Sequence, residues 1–172
     1  MRKMRYYKAA ILFFIAFLIQ TTILGGVSIR GVSPNLLLCL VVVFSFLYDE
    51  SYGLILGIVF GLLLDLSTQT LFGIQTITFV AAGIPPLIFR RLFNRERVLP
   101  DILMALIATP INVFAVWFAY HLTGSPVKID HAVGALPGLL ISHAVIVCIL
   151  HLLLVRTIIR HKRDRKYLGG TA

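Results

Sequence analysis

The chain of 172 residues is apolar along its whole length, with 59% hydrophobic and 13% charged residues and a mean hydropathy of +0.95. This composition excludes a water-soluble domain, because long apolar stretches separated by short polar breaks are typical of membrane-spanning helices. The net charge of +9 would indicate nucleic-acid binding in a soluble protein, but these basic residues flank apolar stretches, where anionic lipid attracts them. The breaks predict an all-α polytopic membrane protein with six spans, at about 9–25, 33–48, 52–66, 71–89, 102–122 and 132–155.

The Lys and Arg residues predict the orientation of these spans. With the amino terminus in the cytoplasm, the basic residues before the first span, after the fourth span and in the tail 156–172 all lie inside. Only Arg30 and Lys128, of 16 Lys and Arg residues, then lie outside. Cytoplasmic loops of membrane proteins carry such an excess of Lys and Arg. We therefore expect one integral membrane domain, residues 1–172, with both termini in the cytoplasm.

The second and third spans are short for a bilayer. The roughly fifteen residues of 34–48 rise only ~22 Å as a helix, against a hydrocarbon core of ~30 Å. A continuous helix over 33–66 would bury Asp49 and Glu50 and reverse the orientation of the following loop. Two short crossings and a hairpin that dips into the membrane both preserve the orientation, and we favour six crossings with local thinning of the bilayer.

The third span carries a stripe of small residues. Gly53, Gly57 and Gly61 recur every four residues, and Asp65 continues the series. Residues four apart share one helix face, and small residues let helices in lipid approach closely. The stripe predicts a packing surface, within the protein by preference or against a partner's span. Asp65 lies near the outer end of its span, so it is either a hydrated acid or a buried, paired one. It is not expected to interact favourably with a helix dipole, because it lies near the C-terminus of its own helix.

Prolines and polar residues mark irregular points in the last three spans. A proline inside a helix removes or strains backbone hydrogen bonds, so we expect helix bends at Pro85, Pro86, Pro110 and Pro137. Three polar residues that follow these prolines are candidates for buried interhelical hydrogen bonds, namely Asn112, Ser142 and His143.

The sequence contains no recognised catalytic or phosphate-binding motif: HExxH, GxSxG and GxxxxGK[ST] are all absent. Ser142 and His143 are adjacent and point about 100° apart on a helix, so they do not form a nucleophile–base pair. His143 and His151 are about 80° apart, which excludes a same-face metal pair. Cys39 and Cys148 lie in apolar spans without metal or disulfide spacing. We expect no enzymatic activity, no cofactor and no metal.

Three short patterns, in order along the chain, resemble a known bacterial family. They are Ser33-Pro34-Asn35-Leu36-Leu37-Leu38, Gly57-x-x-x-Gly61-Leu62-Leu63-Leu64-Asp65-Leu66 and Leu71-Phe72-Gly73. Their order and spacing, the chain length, the six-span layout and the basic carboxyl-terminal tail resemble the rod shape-determining protein MreD family over essentially the whole chain.

The resemblance implies a non-enzymatic scaffold of the cell-wall elongation complex, or elongasome, in the bacterial inner membrane. Such a scaffold maintains rod shape and regulates peptidoglycan synthesis. The implied partners are a single-span MreC-like protein and, through it, a RodA-like glycosyltransferase, a class B penicillin-binding transpeptidase and MreB filaments, with no nucleic acid.

The resemblance also implies the membrane fold of the substrate-binding subunits of energy-coupling-factor vitamin transporters. The alternative function is therefore a vitamin-like small-molecule binding subunit, with an outward pocket among the loops 25–32, 67–70 and 123–130. A vitamin pocket needs convergent polar groups and aromatic side chains. These loops contain few aromatic residues, which favours contact with a protein over a vitamin pocket.

Overall fold

The computed structural model describes residues 6–28, 32–48, 51–68, 71–93, 97–124 and 128–168, with side chains described as far as residue 155 in the last range. These residues form six α-helices and one short 3-10 helix, without a β-strand, which confirms the all-α class. The helices are α1 (Tyr6–Thr22), α2 (Leu36–Leu47), α3 (Tyr52–Thr68), α4 (Ile74–Phe89), α5 (Leu99–Leu122) and α6 (Ile129–Leu168), and the 3-10 helix covers Leu24–Gly26. The basic residues Arg2, Lys3, Arg5, Arg30 and Arg95 and the side chains of the tail 156–172 lie outside the described part.

Each helix coincides with one predicted span, with boundaries moved by local chemistry. α2 begins at Leu36 instead of residue 33, because the residue before Pro34 is sterically disfavoured in a helix. α4 begins at Ile74 instead of residue 71, because Gly73 takes a left-handed conformation with φ 94°, which a residue with a Cβ rarely adopts. α6 continues past residue 155 to Leu168, since this stretch contains neither glycine nor proline before residue 169.

Only half of the helices reach the length of a full membrane span. The segments Tyr6–Gly26, Leu99–Leu122 and Ile129–Val155 are long and apolar enough to cross a membrane. The helices α2, α3 and α4 are apolar but have 12, 17 and 16 residues. At 1.5 Å per residue, α2 is about 18 Å long, against a hydrocarbon core of about 30 Å. The six predicted spans thus correspond to three helical segments long enough to cross a membrane and three shorter helices.

The short helix α2 forms the centre of the bundle. It contacts α1, α3, α4, α5 and α6, which follow one another around it in the order α1, α3, α4, α5, α6. Eleven of its twelve residues are buried, so the helix is apolar on every side, as a helix surrounded by neighbours must be. Phe44 of α2 packs edge-on against Phe13 of α1, with ring centroids 5.3 Å apart.

The outer helices expose large apolar side chains. Ile77 of α4 is 65% exposed and Ile141 of α6 is 68% exposed. Water-soluble monomers rarely expose extended apolar surfaces, whereas hydrocarbon covers such side chains in a membrane. The surface of the bundle is therefore that of a membrane protein.

Polar contacts join four helices at one end of the bundle, here called the Asn35 end. Nε2 of Gln20, near the end of α1, donates to the carbonyl of Pro34, just before α2 (3.0 Å). Asp65, near the end of α3, accepts a hydrogen bond from the N–H of Gln75, at the start of α4 (2.9 Å). The ends of α1 and α3 thus lie beside the starts of α2 and α4.

The opposite end, here called the Tyr6 end, joins the other termini of the same helices. The ring of Tyr6 packs on that of Tyr52, at the start of α3, with centroids 4.1 Å apart. Nη1 of Arg90, just after α4, donates to the carbonyl of Tyr48, just after α2 (2.7 Å). Helices α1 to α4 therefore alternate in direction.

The prolines lie inside continuous helices. Pro85 and Pro86 are within α4, Pro110 within α5 and Pro137 within α6. None of them ends its helix, and the carbonyl of Pro86 accepts the N–H of Arg90 (2.9 Å). The expectation that these prolines bend their helices stays a prediction.

Candidate functional site

The first turn of α2 lies inside the bundle, so its free N–H groups need protein partners. Asn35 is the N-cap, and its Oδ1 accepts the N–H of Leu38 (2.9 Å). Oε1 of Gln20 accepts the N–H of Leu36 (2.7 Å), while Nε2 of the same side chain donates to the carbonyl of Pro34 (3.0 Å). An N-cap and a side chain from α1 together accept free N–H groups at the start of α2.

His143 links α6 to this helix start. Its Nε2 accepts the N–H of Asn35 (2.9 Å), so Nδ1 carries the proton of the neutral ring. Nδ1 donates to Oγ1 of Thr109 (2.8 Å), whose own hydroxyl donates to the carbonyl of Ala105 (2.7 Å). Both ring nitrogens are occupied by hydrogen bonds, so His143 cannot act as a base or metal ligand in this arrangement.

Ser142 is half-buried and donates to the carbonyl of Leu139 in its own helix (2.9 Å), so its expected interhelical bond is not formed.

Side-chain amides extend the network to α4 and α5. Nδ2 of Asn35 donates to Oε1 of Gln75 (3.3 Å). Nδ2 of Asn112 donates to the same Oε1 (3.1 Å) and to Oγ1 of Thr78 (3.0 Å). Buried polar groups in low dielectric require such partners. Asn112 is buried, as expected from the sequence. Gln20 and Gln75 were not expected in this role, and Asn35 stood out only as part of a sequence pattern.

A cavity of about 850 Å³ lies at the Asn35 end. Amide side chains of Asn35, Gln75 and Asn112 line it, together with the aromatic rings of Trp117 and Tyr120 from α5. The loop pocket considered from sequence coincides with this cavity in part, since residues 25, 32, 67 and 68 also line it. Loop residues 29–31, 69–70 and 125–127 lie outside the described part. The aromatic residues come from a helix, which explains why an inspection of the loops did not find them.

The glycine stripe of α3 packs first against α2. A Cβ atom at Gly53 would lie 2.5 Å from Oγ and 2.6 Å from the backbone nitrogen of Ser45. A Cβ atom at Gly57 would lie 2.9 Å from Cγ2 of Val41. The two helices approach so closely that only glycine fits at Gly53 without a shift of backbone.

The second half of the stripe, Gly61 and Asp65, packs against the start of α4. A Cβ atom at Gly61 would lie 2.8 Å from Cα of Thr76. Asp65 is 2% exposed, and its Oδ1 accepts the N–H of Gln75 (2.9 Å). Its Oδ2 accepts the N–H (3.2 Å) and the hydroxyl (2.8 Å) of Thr76. All four positions of the stripe thus face other helices of this chain.

Asp65 caps the following helix. The N-cap of α4 is Gly73, which has no side chain to accept these N–H groups. A carboxylate at a helix N-terminus accepts its free donors and interacts favourably with its dipole. The expectation that Asp65 does not interact favourably with a helix dipole was wrong: it holds for α3, but the turn between α3 and α4 brings Asp65 to the start of α4.

We expect Asp65→Asn to destabilise the protein. The amide keeps one oxygen but presents N–H groups to donors of Gln75 or Thr76, and an unsatisfied buried donor costs about 1–3 kcal/mol. Thermal unfolding of the purified protein in detergent measures the effect. Asp130→Asn is the matched control, because Asp130 is exposed in the first turn of α6. Equal melting temperatures for the Asp65→Asn variant and the unchanged protein would contradict the capping role.

A second buried polar pair lies toward the Tyr6 end. Nδ1 of His151, in α6, lies 2.6 Å from Oδ2 of Asp101, in the first turn of α5. The two side chains are 1% and 0% exposed, and Oδ1 of Asp101 has no hydrogen-bond partner among the residues described. The predicted fifth span began after Asp101. The observed helix begins at Leu99 and so carries the acid into the bundle.

Within the described ranges, no three His, Cys, Asp or Glu residues come together as a metal site. Cys39 is buried and Cys148 half-buried, and both are free thiols. Most of the buried polar side chains described above form hydrogen bonds that join helix ends.

Comparison with known proteins gives one family match. A family model described as rod shape-determining protein MreD matches residues 1–160. No curated protein and no solved structure matches the chain. The matched region contains the three patterns noted in the sequence, the glycine stripe and the whole polar network. The chain therefore belongs to the MreD family of rod shape-determining proteins.

Proposed function

We propose that the chain is a non-enzymatic scaffold of the cell-wall elongation complex that docks the single span of an MreC-like partner. Through that partner it contacts a RodA-like glycosyltransferase, a class B penicillin-binding transpeptidase and MreB filaments. Membership of the MreD family supports a role in rod shape determination. The observation that carries the docking proposal is a seam in the ring of outer helices, between α1 and α6.

The proposal includes six crossings of the inner membrane by one domain, with the Tyr6 end in the cytoplasm. Among described residues, Lys8, Arg90, Arg91 and Arg97 lie at or next to the Tyr6 end, whereas Lys128 belongs to the Asn35 end. An excess of Lys and Arg marks the cytoplasmic side of a membrane protein. The alternating direction of α1 to α4 supports the same orientation, and the short α2 crosses with the help of the loop that precedes it.

Among the described residues, α1 and α6 are the one pair of neighbours in the ring without a contact, and the gap between them is called the α1–α6 seam. α1 contacts α2 and α3, and α6 contacts α2 and α5, but α1 and α6 do not contact each other within the described residues. Phe13 and Phe17 of α1 turn toward Phe60 of α3. At 100° per residue, the half-buried Leu12 and Ile19 lie on the flank of α1 turned away from α3, beside the seam. α2 is buried beneath the seam. A partner helix in the seam would therefore pack against α1 and α6 and complete the ring of helices around α2.

Photocrosslinking tests the seam. We expect a photoreactive amino acid at position 19 to capture the MreC-like partner in cells, because Ile19 borders the seam. Ile77 of α4 is the matched control: it is an isoleucine near the Asn35 end, on the side of the ring opposite the seam. The measurement is the crosslinked fraction of the partner, detected by immunoblot.

Two outcomes would contradict the proposal. Equal capture from positions 19 and 77, or capture from 77 alone, would remove the seam as the docking site. Stoichiometric retention of a vitamin-like ligand by the purified protein, together with normal cell shape after depletion, would replace the scaffold by the transporter-subunit alternative.

A further inference from the structure

The hydrogen-bond network fixes which way each buried amide points. Oδ1 of Asn35 accepts the N–H of Leu38, so its Nδ2 must be the atom that faces Gln75. Nδ2 has only hydrogens to offer, so the atom of Gln75 that receives them is Oε1. The capping bond from the N–H of Leu38 to Asn35 thus determines the orientation of the amide of Gln75 on another helix.

The same reasoning continues to Asn112. Oε1 of Gln75 also receives a bond from Asn112, so the donor is Nδ2. The hydroxyl of Thr78 donates to the carbonyl of Gln75 (2.9 Å) and therefore accepts from the same Nδ2. Two polar atoms are left over: Nε2 of Gln75 and Oδ1 of Asn112.

These two atoms have no hydrogen-bond partner among the residues that the structure describes. The side chains that carry them are 8% and 7% exposed, and both line the cavity at the Asn35 end. The two atoms are not among the fully inaccessible unpaired groups, so their remaining exposure is toward the cavity. The cavity therefore presents a donor from Gln75 and an acceptor from Asn112.

The rest of the described lining consists of apolar and uncharged polar residues and one histidine, His131. No Lys, Arg, Asp or Glu is among the described residues that line the cavity. Trp117 supplies an aromatic face and stacks on His121 with an interplanar angle of 17° and centroids 5.6 Å apart. Apolar atoms of Leu64 and Val113 also line the space. An aromatic face and apolar atoms with a few placed polar groups are typical of a site for a small ligand with a flat ring.

We propose that this cavity is a binding site for a small uncharged ligand that presents a carboxamide or lactam edge on a flat ring. The ligand carbonyl accepts from Nε2 of Gln75, its N–H donates to Oδ1 of Asn112, and its ring lies against Trp117. The inference goes beyond the scaffold function and does not depend on it, because it rests on the unpaired amide atoms of Gln75 and Asn112 that line the cavity.

Fluorescence provides the measurement, because Trp117 is the single tryptophan of the chain. The purified full-length protein in lipid nanodiscs is titrated with benzamide, benzoate and benzamidine, which share size and shape. We expect a saturable change of tryptophan fluorescence with benzamide. Benzoate offers no donor to Asn112 and benzamidine offers no acceptor to Gln75, so each should bind at least about tenfold more weakly, the loss expected for one hydrogen bond in a buried site.

The substitution Gln75→Glu tests the donor without removing the network. A carboxylate retains an oxygen for the bonds from Asn35 and Asn112 but replaces the free donor by an acceptor. We expect benzamide to lose at least about tenfold in affinity and benzamidine to become the preferred probe, because its N–H groups then meet acceptors on both sides. Asn112→Leu is the second variant if the first does not accumulate, and it should weaken benzamide by a similar factor.

Ser142→Ala is the matched control, because Ser142 is half-buried in α6 and does not line the cavity. It should leave the benzamide titration unchanged. The proposal is overturned if benzamide produces no saturable change, if the three probes bind equally, or if both the Gln75→Glu and the Asn112→Leu variants keep the affinity of the unchanged protein.

Discussion

Replacing Gly53 by alanine should abolish accumulation of the protein in the membrane. The added Cβ atom would lie 2.5 Å from Oγ and 2.6 Å from the backbone nitrogen of Ser45, so α3 would have to move away from the central helix. Overpacking a buried contact costs about 1–3 kcal/mol, and more where backbone must shift. In a rod-shaped host depleted of its own copy, cells that rely on this variant should become wide or round. Immunoblots of membrane fractions and microscopy of the cells measure both effects.

Substitutions at two further glycines should reduce accumulation according to the space around each Cβ position. Gly61→Leu should be as harmful, because the first side-chain atom already lies 2.8 Å from Cα of Thr76. Gly26→Ala is the control, since a Cβ atom there has no neighbour within 4 Å. Normal abundance and normal cell shape with Gly53→Ala would show that α2 and α3 do not pack as closely as the structure has them.

Breaking the Asp101–His151 pair from one side should have the second large effect. The two side chains are 0% and 1% exposed and 2.6 Å apart. Removing one partner of a buried hydrogen-bonded pair leaves the polar atom of the other without compensation and costs about 1–3 kcal/mol, whereas replacing both partners by apolar residues can be nearly neutral. We expect His151→Leu and Asp101→Leu each to unfold at lower temperature and to accumulate poorly. The double variant should recover much of the loss.

A double-mutant cycle of melting temperatures in detergent measures this coupling. His131→Leu serves as the control, because His131 is exposed in the same helix. If the double variant is no more stable than the weaker single variant, the pair does not act as a unit. If both single variants melt like the unchanged protein, the buried contact contributes nothing to stability.

The three sequence patterns that resemble the family correspond to one structural unit at the Asn35 end. The Ser33-Pro34-Asn35 pattern ends the preceding loop and caps α2 through Asn35. The second pattern packs Gly61 against α4 and caps that helix through Asp65. The third ends in Gly73, whose φ of 94° turns the chain into α4. Their spacing along the chain reflects three helix termini that meet in space: the start of α2, the end of α3 and the start of α4.

Some positions were predictable because their signal is local. The apolar stretches and their breaks identify all six helices, and glycines at four-residue intervals identify one face of α3. The polar network was not predictable in the same way, because Gln20, Asn35 and Gln75 are ordinary polar residues near helix ends. Their hydrogen bonds to other segments connect residues 14 to 108 positions apart, and only the packing of helices brings these residues together.

The sequence by itself determined the membrane class, the six helices and the glycine stripe of α3. The transfer of apolar side chains into lipid and the period of a helix depend only on residue type and order. The tertiary structure decided that α2 is the core, that Asp65 caps α4, and that a buried Asp101 meets His151. These outcomes depend on which helix ends become neighbours. A buried donor or acceptor must find its partner there, however distant along the chain that partner is.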